Sequence, residues 1–101
     1  MIELLQFKIS TRKGKKYMMV LNVDGRGKTI HFGSAVSQTY IDHLDDIKKE
    51  NYIARHEVNE DFTKINPASA SRYILWNKKT LKKSLKSFMK RFNIKDSRKE
   101  Y

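Results

Sequence analysis

The chain has 101 residues, 39% of them hydrophobic and 33% charged, and its 22 basic against 11 acidic side chains give a net charge of +11. That length holds one domain and excludes two, and the absence of cysteine excludes disulfides and thiolate metal sites. An aromatic share of 11% argues against disorder. The mixed polarity of Met1 to Ser10 and the lack of a membrane-length apolar run predict a chain that is neither secreted nor embedded in a bilayer.

Ile2 to Ser10, with apolar Ile2, Leu4, Leu5, Phe7 and Ile9, predicts a first strand. Thr11 to Lys16 carries Gly14 among four basic residues and predicts an exposed turn. Lys16 to Val23 predicts a second strand, with Tyr17, Met19, Leu21 and Val23 on one face and Met18, Val20 and Asn22 on the other. Apolar residues on both faces place it at the sheet centre. Asp24-Gly25-Arg26-Gly27 is a hairpin turn signal, and Lys28 to Phe32 follows as a third strand, with Ile30 and Phe32 inward and Gly33 as its end.

Ser34 to Tyr40 is polar and predicts irregular chain. Asp45 suits the N-cap of a helix from Asp46 to about Val58, whose inner face would hold Ile47, Tyr52 and Ile53. Asn59 to Asn66 predicts a polar loop, closed by Pro67, which disfavours helix at Asn66. Ala68 to Trp76 predicts a short helix anchored by Tyr73, Ile74 and Trp76. Asn77 or Thr80 caps the last helix. There Leu81, Leu85, Phe88 and Phe92 recur at i, i+4, i+7 and i+11 with Met89 beside them, and Lys82, Lys83, Lys86 and Lys90 fall on other faces.

The expected fold class is therefore α+β: an N-terminal three-stranded antiparallel meander followed by two or three helices, the last Lys-rich and amphipathic. A single domain is expected over residues 1–94, with a charged tail over residues 95–101.

The charge is segregated. Residues 1–33 hold seven basic and two acidic side chains, residues 34–61 three basic and seven acidic, and residues 62–101 twelve basic and two acidic. No acid stands between Asp61 and Asp96. A solvated surface accounts for scattered charge, but an acid-free run of this length points to a polyanionic partner.

Three groups are the candidate nucleic-acid contacts. The first is the last helix and its approach: Lys78, Lys79, Lys82, Lys83, Lys86, Lys90 and Arg91. The second is the first turn: Arg12, Lys13, Lys15 and Lys16. The third is the isolated pair Arg55 and Arg72. Lysine outnumbers arginine, which suits sequence-independent phosphate contact better than base reading. Binding of that kind weakens steeply with salt. The same helix has the composition of a membrane-surface segment, but Leu81, Leu85 and Phe88 are needed for the core of so small a domain.

Tyr52, Tyr73 and Trp76 have the chemistry to stack on bases, although aromatics beside Ile74 and Leu75 read first as core. Arg55 suits either a phosphate or an ion pair with Glu60 or Asp61. His31, His43 and His56, with Asp42, Asp45, Asp46 and Glu57, match no metal-ligand spacing. No nucleophile elbow or phosphate-cradling glycine loop is present. No catalytic residue, metal, cofactor or small-molecule substrate is expected.

Several segments carry a resemblance: Lys16-Tyr17-Met18, Ile30-His31-Phe32-Gly33, Tyr52-Ile53-Ala54-Arg55-His56, Ser71-Arg72-Tyr73-Ile74-Leu75-Trp76-Asn77-Lys78, Thr80-Leu81-Lys82 and Lys90-Arg91-Phe92. Over roughly residues 15–94 they resemble an uncharacterised family of small basic proteins of nucleocytoplasmic large DNA viruses, found in giant and algal viruses. The chain departs from that pattern at Lys79, where the family often has proline, near Phe62, where it tends to have tryptophan, and at Ala68 to Ala70, where it has bulkier aromatics.

The resemblance implies a viral origin, a place in the virion or in the infected cell's cytoplasm or nucleus, and no particular activity. The expected function is a non-enzymatic accessory protein that binds DNA or RNA without sequence preference. The alternatives are a minor virion or capsid protein contacting other virion proteins and, behind it, a metal-dependent nuclease.

Overall fold

The computed structural model describes residues 1–98. Strands β1 (Ile2–Ile9), β2 (Lys15–Val23) and β3 (Arg26–Ser34) form the antiparallel meander. They are followed by α1 (Tyr40–His43), α2 (Asp46–Glu57), α3 (Pro67–Ala70), a π-helical turn (Ser71–Leu75), α4 (Leu81–Arg91) and β4 (Ile94–Asp96). The sheet order is β3-β2-β1-β4, so β2 is interior, and β4 lies parallel to β1 with Ile2 opposite Ile94.

Period-two patterning explains the sheet's two faces. Leu4, Met19, Leu21, Ile30 and Phe32 point to one side and are buried against Ala70, Ile74 and Leu75, and against Leu85 and Phe88 of α4. On the reverse face Met18 is only 7% exposed. Thr11 donates to its sulfur at 3.7 Å, and His31 stands opposite it across the ladder. The register slips between Leu4 and Gln6, a bulge that leaves Leu5 partly exposed and returns Phe7 to the core face.

The β2–β3 turn is tighter than its glycine pair suggests. Asp24 and Gly25 alone carry positive φ, of 52° and 89°, and Val23 already pairs with Arg26. This is the two-residue turn whose twist matches the flanking strands, so β3 starts at Arg26 rather than Lys28.

Gly33 does not end β3, which runs on to Ser34. Its φ is +80°, and a Cβ there would stand 2.7 Å from Leu75 Cδ1. Glycine lets the π-helical turn approach the strand backbone.

Elsewhere the helical half differs from expectation. The segment 34–40 ends in α1, a single turn whose Thr39 and Asp42 form a capping box. The helix expected over 68–76 begins at Pro67, capped by Asn66, and continues as the π-helical turn, closed by a Trp76 N–H to Ser71 carbonyl bond of 3.2 Å.

Asp45 caps α2 through the amides of Ile47 and Lys48, but the helix turns a different face inward. Tyr52 and Ile53 are half-buried, whereas Ile47 is 70% exposed. The charged tail expected from Lys95 starts later, because Lys95 and Asp96 pair with Glu3 and Leu4, and the Ser97 amide donates to the Leu4 carbonyl. The rest of that tail, residues 99–101, lies outside the described residues.

Candidate nucleic-acid interface

Thr80 caps α4 by accepting from the Lys83 amide at 3.2 Å. Ser84, Leu85 and Phe88 are buried, while Lys82, Lys83, Lys86 and Lys90 are exposed. At about 100° per residue, these four lysines fall within an arc of about 100° on the helix side turned from the core. Lys78 and Lys79 are exposed just before the helix.

The carboxylates that form ion pairs, Asp24, Asp42, Glu60 and Asp96, are taken by the terminal ammonium, Lys16, His56 and Arg98. Among the described residues the α4 lysines therefore have no carboxylate partner. Lys82, Lys86 and Lys90 repel one another at i, i+4 spacing, at a cost of roughly 0.2–0.5 kcal/mol per pair. Lys82 and Lys83 also oppose the positive helix N-terminus. A polyanion laid along this arc relieves both.

A second concentration of cations sits where α2, the π-helical turn and α4 meet. The guanidinium groups of Arg91 and Arg72 lie 4.1 and 4.8 Å from the centre of the Tyr73 ring. Arg72 also donates to the Trp76 carbonyl at 2.9 Å. Burial holds Arg72 below the ordinary arginine value, the Tyr73 phenol opposing and Arg91 reinforcing.

Lys49, which the sequence did not single out, belongs to the same cluster. Its ammonium donates to the Asn77 carbonyl at 2.7 Å and lies 4.7 Å from the centre of the Tyr40 ring. Its pKa is lowered chiefly by burial and then by the charges of Arg72 and Lys78, with Asp46 opposing. No sequence motif joins Lys49 to Arg72, and only folding brings them together.

In the first turn the four cations differ in their surroundings. Lys16 is spent inside the molecule, donating to the Ser37 carbonyl at 2.7 Å and to Asp42 at 3.3 Å. Asp42 is held below its ordinary value first by the Thr39 amide, with lesser help from Lys16. Arg12, Lys13 and Lys15 remain exposed.

Lys15 and Arg55 line a cleft of about 730 Å³. In its wall Tyr52 stacks flat on Trp76, with centroids 4.3 Å apart and planes at 4°, stacks on His56 at 4.2 Å and is hydrogen-bonded to Ser71. Burial raises the Tyr52 phenol to about 12. Neither carboxylate suggested for Arg55 goes to it: Glu60 pairs with His56 at 3.0 Å, and Asp61 accepts from Thr63.

The histidines are likewise dispersed. His31 bonds Ser10 at 2.7 Å, and His43 accepts the Asp45 amide at 3.0 Å. Among the described residues no three histidines and carboxylates gather where a metal could sit, and no helix is long and apolar enough to cross a membrane.

A model described as a family of unknown function, DUF5754, matches residues 5–56, from the β1 bulge to the last turn of α2. No curated protein and no solved structure matches the chain.

Proposed function

The chain belongs to the DUF5754 family of unknown function, and from its own surface we propose that it is a non-enzymatic protein that binds nucleic acid largely without regard to sequence. The observation that carries this reading is the arc of Lys82, Lys83, Lys86 and Lys90, exposed on α4 and without a carboxylate partner among the described residues. Ammonium groups on flexible stems neutralise phosphates without reading base edges. The Arg72 and Arg91 guanidinium groups, held against Tyr73, extend the cationic surface. The viral setting implied by the resemblance supports a genome-associated role.

The test is an anisotropy titration with short single- and double-stranded probes at several salt concentrations. Both probes bind at low salt, and log K falls linearly with log salt. Lys83→Glu/Lys90→Glu makes that slope shallower by about two, one for each lost phosphate contact. Absence of binding at low salt, or binding indifferent to salt, ends the proposal. A structural role in a virus particle is the second reading, favoured by the bare apolar stripe of α2 taken up next.

A further inference from the structure

Among the described residues, two partly apolar surfaces lack a cover. The first is the outward side of α2. Ile47, Ala54 and Val58 fall on one line along the helix, with polar Asn51 between them. All four are exposed, Ile47 by 70% and Val58 by 76%. Asp46, Glu50 and Glu57, also exposed, run beside that line on one flank, and exposed Lys48 and Arg55 on the other. Isolated apolar residues on a surface are ordinary, but a helical row with an acidic border has the pattern of a docking helix.

The second surface is a groove of about 690 Å³ between α4 and the β1–β4 side of the sheet. Phe7, Leu81, Leu85 and Met89 form its apolar lining, and Lys82 and Lys86 stand on the α4 side. The Asp96–Arg98 ion pair, 2.8 Å long, lines it as well. Ile47 to Val58 spans about 16 Å of helix, against about 12 Å from Leu81 to Met89.

We propose that the groove receives α2 of a second copy of this chain, with Ile47 and Val58 on the apolar lining and the acidic ridge against Lys82 and Lys86. The groove presents Lys82 and Lys86 along one side of an apolar lining, and the helix presents carboxylates along one flank of its aliphatic line. The two surfaces differ, so the contact is heterologous: each copy uses its helix on one neighbour and its groove on another.

This divides the α4 lysines. Lys82 and Lys86 serve the neighbouring copy, and Lys83 and Lys90, further round the helix, remain for phosphates. The association needs no nucleic acid, though it takes two of the four lysines on which the function proposed above rests.

Sedimentation velocity on nuclease-treated protein at physiological salt, where repulsion between the basic chains is screened beyond about 8 Å, tests it. The wild-type mass rises with concentration past that of a dimer. Ile47→Asp/Val58→Asp removes the helix surface and Lys82→Glu/Lys86→Glu reverses the groove. Each variant keeps its circular dichroism spectrum and is monomeric alone, and an equimolar mixture forms a one-to-one dimer that grows no further.

Should a double variant lose its helical signal, Glu50→Lys and Lys86→Glu each weaken assembly and together restore it. A wild-type monomer at every concentration overturns the proposal. So does an assembly in which the two blocked variants fail to complement, since that marks a contact between like surfaces.

Discussion

Helices α2 and α4 are nearly equal in length and each starts at a side-chain cap, yet α4 buries Ser84, Leu85 and Phe88 while α2 has no fully buried residue. The difference lies in how many apolar lines each sequence carries. On α4 there is one, so the inward direction has a single solution. On α2 there are two: Tyr52 and His56 on one side, Ile47, Ala54 and Val58 on another. An aromatic ring covers roughly 150–250 Å², and Tyr52 lies flat on Trp76, so the aromatic line is turned inward and the aliphatic one outward. Periodicity shows which residues share a face, and the neighbours decide which face is buried.

The comparison breaks most directly at one residue of each helix. Phe88, fully buried, costs about 3–5 kcal/mol when cut to alanine. Ile47→Ala stays within about 0.5 kcal/mol of wild type. Urea unfolding of the two variants measures this, and comparable losses would mean that α2 is as firmly seated as α4.

Next in size is Gly33, where β3 meets the π-helical turn. Gly33→Ala places a methyl against Leu75 at a positive φ, with an expected loss of about 1–3 kcal/mol. In a Leu75→Ala background the contact with Leu75 disappears while the tighter-than-usual approach to Lys16 remains, so the double variant is less destabilised than the sum of the singles. Strict additivity in the unfolding curves would show that the close approach carries no strain.

The smallest effect concerns the ion pair that ties the acidic middle of the chain to the sheet. The Asp42 carboxyl is held below its unfolded value of 3.8. Its contribution is therefore complete above that value and is lost as pH falls through the lower folded one. Asp42→Asn lowers stability modestly near neutrality, since the pair is partly exposed and screened. The difference from wild type closes as the solution is acidified. A difference that widens in acid would contradict the assignment.

Much of this architecture is readable from the residues. Alternation in Tyr17 to Val23 gives the interior strand, Asp24-Gly25 gives the hairpin, and Asp45 and Thr80 mark where α2 and α4 begin. These are local signals, each stated within a few residues.

What escaped is decided at a distance. Lys16 looks like a surface cation until Asp42 is folded beside it, and Glu60 looks available to Arg55 until His56 takes it. Lys49 joins Arg72 only when α2 packs near the π-helical turn. Strand β4 has three residues, too few to show a period, and its partner is the first strand of the chain. The lysine arc was readable because all its members lie on one helix, and the groove beside it was not, because Phe7 and Met89 come from opposite ends of the sequence.

That last pairing bears on how the molecule assembles. Until Ile94 to Asp96 arrive, the outer side of β1 offers unpaired amides and carbonyls to any passing strand, and contacts between the two ends of a chain form late because a long loop must close first. Removing the residues from Ile94 onward would leave that edge open, and aggregation of the shortened chain would rise with protein concentration.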